Sequence, residues 1–205
     1  MYYGEIKEYD IANGTGVRVS LFVSGCRNHC EGCFNKDTWN FKYGKLFTES
    51  DENHIIDSVN KPYIKGLSLL GGDPFEPENA EVLYPFILKF RSIFKFEKDI
   101  WLYTGYELEY LIEKSKTDEN IKGILNNIDI LIDGKFKKDL KSLSIKFRGS
   151  SNQRILKNTH SSNSFNYIDI SKEIDEKDWK INISIIIIAK LFMNIYYLNE
   201  FYKRN

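Results

Sequence analysis

Every cysteine of this 205-residue chain lies within eight positions, in the stretch SGCRNHCEGCF (24–34). That arrangement constrains the fold more than any other feature. An odd number of thiols this close together pairs awkwardly into disulfides, so the set reads as ligands in a reducing compartment, with a cytoplasmic location expected. Just upstream, VRVSLFV (17–23) is rich in β-branched and aromatic residues and stops at Ser24 and Gly25, which predicts a strand running into the cysteine loop. The loop therefore belongs at the C-terminal end of a strand.

Three thiolates can serve a zinc ion, an iron–sulfur cluster or simple burial. A closed zinc site needs a fourth ligand. His29 is the nearest candidate for a Cys3His set, but it adjoins Cys30, and His54 and His160 are distant in sequence. An ordinary electron-transfer 4Fe-4S cluster takes four cysteines. With only Cys26, Cys30 and Cys33 available, one iron would be left open to a small molecule, much as a catalytic zinc keeps an open position.

The rest of the chain alternates between strand and helix patterns as far as about residue 154, which predicts α/β architecture with parallel β/α units. Thr48 with Asp51 resembles a capping box opening a helix over SDENHIIDSVN, and GLSLL (66–70) reads as a buried strand broken by GGDP. The helical pattern of 77–94 contains Pro85, which is expected to kink it or divide it in two. DIWLYTG, helices over YELEYLIEKSK and NIKGILNN, and the strand IDILIDG (128–134) continue the series. Chemistry in such folds gathers at strand C-terminal ends, so the cysteine loop, GGDP, YTGY and DGKF should converge.

Two regions are distinguished, a core at 1–154 and an extension at 155–205. The extension runs from the Ser/Asn-rich NTHSSNSFNY through a charged stretch to INISIIIIAKLFMNIYYL. That apolar end carries Lys190, Asn182 and Asn194 within 18 residues, whereas a membrane span needs roughly 20 mostly apolar ones. It reads as an element packed on the core or on a partner. With 29 basic against 29 acidic residues, no global field draws the chain to nucleic acid or to an anionic membrane.

The spacing C-x3-C-x2-C is that of the radical S-adenosylmethionine enzymes. The ordered set SGCRNHCEGCFNKDTW, LSLLGGDP, WLYTGY, LIDGKF and RGSSNQR closely resembles the activating proteins of anaerobic ribonucleoside-triphosphate reductases, which are glycyl-radical activases. The resemblance implies an incomplete, laterally open (β/α) barrel of the radical S-adenosylmethionine type. It implies that Cys26, Cys30 and Cys33 hold a 4Fe-4S cluster whose fourth iron is chelated by S-adenosylmethionine. Reductive cleavage would then yield a radical that abstracts hydrogen from a glycine near the C-terminus of the reductase large subunit, with flavodoxin or ferredoxin as electron donor.

By the same resemblance Gly71 and Gly72 approach the methionine moiety, and Asp73 offers a carboxylate to its ammonium group. The plain alternative is a strand-to-helix turn capped by Asp73 with Pro74 in the first helical position. Where many radical enzymes carry an aromatic residue before the third cysteine, this chain has Gly32, with Phe34 following Cys33. Backbone of 32–34 and the Phe34 ring are therefore expected beside the adenine. Arg18 is a candidate for the nucleoside side, Thr104 and Asp133 are polar candidates at strand ends, and RGSSNQR is expected to contact the partner's tail or to close the barrel mouth, without a chosen residue. The competing readings are activation of another glycyl-radical enzyme such as a formate-lyase, a small radical enzyme acting on a metabolite, and a non-catalytic zinc or iron–sulfur scaffold.

Overall fold

A connection of six residues is too short for a crossover, so the chain's first two strands must pair as a hairpin. In the computed structural model, which describes residues 1–160 and 165–176, β1 (Tyr2–Asp10) and β2 (Val17–Val23) do so. There follow β3 (Lys45–Leu46), α1 (Glu49–Val59), β4 (Ile64–Gly71), α2 (Pro77–Phe94), β5 (Asp99–Tyr103), α3 (Leu108–Ser115), α4 (Glu119–Asn127), β6 (Ile130–Asp133), β7 (Arg154–Asn158), β8 (Tyr167–Asp169) and α5 (Ser171–Glu176). They build one sheet of order β3-β1-β2-β4-β5-β6-β7-β8, which is α/β and does not close. Met1–Asp175 form one compact unit, and of the second, Glu176–Asn205, only Glu176 is described. The apolar segment 181–198 lies outside the described residues.

The centre, β2-β4-β5-β6, is parallel as the alternating pattern predicts. The margins are antiparallel: β1 and β3 on one side, β7 and β8 on the other. The sequence pattern predicts none of β1, β3, β7 and β8, and all four are present. The long link between β6 and β7 contains only a short 3-10 turn and no crossover α-helix, so the chain returns antiparallel.

Period-two alternation assigns the two faces of the sheet. Val19, Leu21, Leu67, Leu69, Ile100, Leu102 and Leu131 join the helix residues Ile55, Leu83, Phe86, Ile87, Phe90 and Ile124 in the larger core. Trp101, Ile130, Ile132 and Ile155 lie on the opposite face, where Phe147 and α5, through Ile174, cover them.

The helix starts follow local chemistry. The Thr48 N–H donates to Asp51 Oδ2 at 2.8 Å, the reciprocal bond of a capping box at the head of α1. Pro85 does not divide α2, which runs on from Pro77 to Phe94. It sits on the exposed side of the helix, so water can satisfy the Glu81 carbonyl whose intrahelical donor proline lacks. α2 begins at Pro77 with Glu76 as its cap residue, so Asp73 is not its cap and Pro74 is not its first residue.

Candidate functional site

The cysteine loop is pinned to the sheet by its own backbone. Ser24 N–H donates to Tyr2 O at 2.9 Å, Gly25 N–H to Thr38 O at 2.7 Å and Cys26 N–H to Trp39 O at 3.3 Å. Across the parallel pair β2-β4, Val23 stands opposite Gly71, and beyond it Gly72 N–H reaches Val23 O at 2.7 Å and Asp73 N–H reaches Gly25 O at 2.8 Å. A Cβ at Gly72 would lie 2.4 Å from Gly25 O. The glycine pair is thus required for two strand ends to meet, a packing reason independent of any ligand.

A cavity of about 630 Å³ opens at these strand ends. The loop lines it with Cys26, Cys30, Cys33 and Phe34, and β4 and the turn after it supply Leu70, Gly71, Gly72 and Asp73. Tyr103, Thr104 and Gly105 come from the end of β5, Gly134 and Phe136 follow β6, and Phe147, Arg148, Gly149 and Gln153 precede β7. The convergence predicted for the cysteine loop, GGDP, YTGY and DGKF is observed, and Arg148, Gly149 and Gln153 of RGSSNQR join it. Gly32 lies outside the lining. Its φ of 75° makes the turn that lets Cys33 N–H donate to Cys30 O at 3.1 Å. Phe34 stands at the rim, 72% exposed and 6.1 Å from the Phe136 ring.

Arg18 is fully buried and outside the cavity lining, where it binds Ser68 Oγ at 2.7 Å, Leu67 O at 2.8 Å and Asp99 Oδ1 at 2.6 Å. Asp133 is likewise occupied, accepting from the Leu108 N–H at the head of α3 and from Arg154. Thr104 does line the cavity, and its hydroxyl donates to Asp73.

Asp73 is the hub of the floor. Its carboxylate accepts from Asn28 Nδ2 (2.9 Å), Thr104 Oγ1 (2.8 Å), Gly105 N (2.9 Å) and Phe75 N (3.0 Å), joining the cysteine loop to the ends of β4 and β5. Burial pushes its pKa up to about 7, against the pull of these donors, and the Glu76 charge adds to the rise. Glu76, also buried, accepts from Arg27 N at 2.7 Å, from the Arg27 guanidinium and from Tyr106 OH at 3.2 Å. Sequence reasoning missed Glu76, Asn28 and Tyr106; Glu76, three residues past Asp73 in GGDPFE, was the available signal.

The residues present fit an iron–sulfur cluster. All three cysteines are free and face one cavity, and the chain has no fourth. Among the described residues no trio of His, Cys, Asp or Glu converges on the position of a single metal ion, whereas a cluster is gripped at separate corners. His29 instead stacks on Trp39, with ring centroids 4.6 Å apart. Burial, with the nearby Asp73 charge, pushes the Cys26 thiol up to about 11, and burial also raises Cys30. Cationic iron would supply the field that ionises them. Trp39 Nε1, Tyr103 OH and Arg148 Nε are buried donors without partners, on residues that line the same cavity.

An open α/β sheet with a trio of thiols at its strand ends defines an iron–sulfur protein, and the family described as a 4Fe-4S single cluster domain matches residues 12–156. Proteins named anaerobic ribonucleoside-triphosphate reductase-activating protein are similar to this chain. Those of Enterobacteria phage T4 (42% identity), Pasteurella multocida (44%) and Escherichia coli K12 (44%) match 75–78% of the chain and 96–99% of their own lengths. The chain belongs to the family of anaerobic ribonucleoside-triphosphate reductase-activating proteins.

Proposed function

We propose that the chain activates an anaerobic ribonucleoside-triphosphate reductase by cleaving S-adenosylmethionine reductively and forming a glycyl radical on the reductase large subunit. The observation that carries this reading is the trio of cysteines on one cavity wall with no fourth cysteine to close the site. A 4Fe-4S cluster held by Cys26, Cys30 and Cys33 would supply the electron and the open iron at which S-adenosylmethionine is chelated.

The chain's own residues bind and orient. S-adenosylmethionine carries a sulfonium and an ammonium, and Asp73 underlies the cavity with a charge met only by neutral donors. The backbone at Gly71 and Gly72 runs along the same wall and offers carbonyls to the ammonium. Cys33 and Phe34 are positioned for the adenine, with Gly32 acting through the turn it makes. Partnerless donors on Tyr103 and Arg148 suit acceptor atoms of the cosubstrate or of an entering peptide. Positioning within contact distance governs which hydrogen is taken.

The unclosed sheet is read as a laterally open barrel of the radical S-adenosylmethionine type, leaving a side for the reductase's glycine loop. Residues 1–154 carry the cluster and cosubstrate residues in this reading, and β7, β8 and α5 complete the sheet and its second core beyond them. Free thiols favour the cytoplasm, with flavodoxin or ferredoxin as donor. Among the described residues no helix is long and apolar enough to cross a membrane.

Anaerobic reconstitution tests the proposal. About four irons per chain, 5′-deoxyadenosine released with a strong reductant, and a glycyl signal on the reductase are expected. One tightly held zinc with no cleavage would overturn it.

A further inference from the structure

The chain is neutral overall, yet its charge is uneven beside the cysteine loop. Residues 135–148, KFKKDLKSLSIKFR, hold six basic side chains and one acidic. Lys135, Lys137, Lys138 and Lys141 are all exposed. This segment lies against the loop: Lys138 Nζ pairs with Glu31 at 2.7 Å, and Lys141 Nζ sits 4.8 Å above the exposed Phe34 ring. Leu140 is also exposed. Behind this surface Phe136, between Lys135 and Lys137 in the chain, lines the same cavity as Cys30. A basic, apolar-centred face thus stands one residue from a predicted cluster ligand. It lies beside exposed Gly32, its four lysines outside the cavity lining and Phe34 at the cavity rim.

We propose that this face, built on Lys135, Lys137, Lys138 and Lys141 around Phe34, docks an acidic one-electron carrier protein and is the point at which electrons enter. The inference rests on the activity proposed above. Three considerations select this occupant. The lysines fit an acidic rim and steer encounter. Phe34 and Leu140 supply a small apolar centre suited to a transient complex. Entry from the outer side of the loop leaves the cavity free for the reductase's glycine loop. In the step, one electron leaves the carrier's reduced flavin or iron–sulfur centre and enters the bound cluster, and no bond is made or broken between the proteins.

The test compares the wild type with Lys137→Glu/Lys141→Glu, using a flavodoxin as probe, and has two independent readouts. The first is flavodoxin binding to the cluster-free chain by calorimetry. The charge reversal should weaken binding at least tenfold, Lys137→Gln/Lys141→Gln should fall between, and added salt should weaken the wild type. The second is S-adenosylmethionine cleavage by the reconstituted protein: flavodoxin-driven turnover should drop at least tenfold, while dithionite-driven turnover stays within twofold of wild type. Unchanged flavodoxin binding and turnover would overturn the proposal. So would intact flavodoxin-driven cleavage with lost radical transfer to the reductase, since the face would then belong to the reductase. Failure of dithionite-driven cleavage in the wild type would instead remove the proposed activity, and the binding measurement would still decide the docking face.

Discussion

Asp73 and Asp133, at the C-terminal ends of β4 and β6, are equally buried at 1% exposure and are treated in opposite ways. Asp133 is neutralised by Arg154, which bonds both of its oxygens at 3.0 and 2.5 Å and reaches on to Glu109. Asp73 receives four donors, from Asn28, Phe75, Thr104 and Gly105, and all are neutral. One of these carboxylates lies outside the cavity lining and the other forms part of it. Where the task is to hold strand ends together, the fold supplies a counter-ion; beside the cavity it supplies hydrogen bonds and leaves the charge for a cation. Burying a charge without a counter-ion is costly, so its retention at Asp73 marks a site shaped around something positive.

The largest expected effect tests whether that positive occupant involves the cysteines at all. Cys30→Ala should abolish iron retention and S-adenosylmethionine cleavage while the melting temperature changes little, read by iron assay, product chromatography and calorimetry. A variant that kept its iron and its turnover would break the comparison at its root. Next in size, Arg154→Met strands the Asp133 charge and should cost about 3 kcal/mol of stability. Denaturant titration checks this, and a loss below about 1 kcal/mol would mean that water replaces the guanidinium.

Asp73→Asn sharpens the contrast, because the shape is kept and only the charge goes. One donor is then mismatched, a cost of about 1–3 kcal/mol, offset by relief from a buried charge. Stability should therefore move little while S-adenosylmethionine affinity falls tenfold or more, about 1.4 kcal/mol. Equilibrium dialysis on the reconstituted protein measures the affinity. Equal affinity in both proteins would assign Asp73 to architecture alone.

The effects of pH run in opposite directions at Asp73 and at Glu109, beside Asp133. Asp73 has its pKa raised from 3.8 to about 7, so between those values the folded state holds more protons than the unfolded. Its contribution to stability therefore falls as pH rises across that window, while cosubstrate affinity climbs through about 7. Glu109, drawn down from 4.5 to about 2 by the Arg154 hydrogen bond, contributes stability above 4.5 that is lost as pH falls toward 2. Its side chain is 65% exposed, so salt should blunt that effect. Melting temperatures across pH in Asp73→Asn and Glu109→Gln separate the two slopes.

Much of this was legible in the chain. The cysteine spacing, the strand before it and the GGDP that follows β4 are local patterns, and local patterns predict local structure. The parallel centre was readable because Leu67, Leu69 and their neighbours form buried runs. β7 was not: RILKN is short, half polar and adjoins a Ser/Asn-rich stretch, and only pairing with β6 makes it a strand. The roles of Arg18 and Asp133 were also hidden. Each is met by partners far along the chain, such as Asp99 for Arg18, and nothing near either residue announces that it is already satisfied.

By itself the sequence determined the donor set, three sulfurs and no more, and the glycines that let β2 and β4 meet. These are matters of composition and of steric room at single positions. Only the tertiary structure decided which buried acid gained a counter-ion and which was left facing the cavity. That choice depends on which strand ends become neighbours, and so on hydrogen bonds between residues such as Asp73 and Thr104, 31 positions apart.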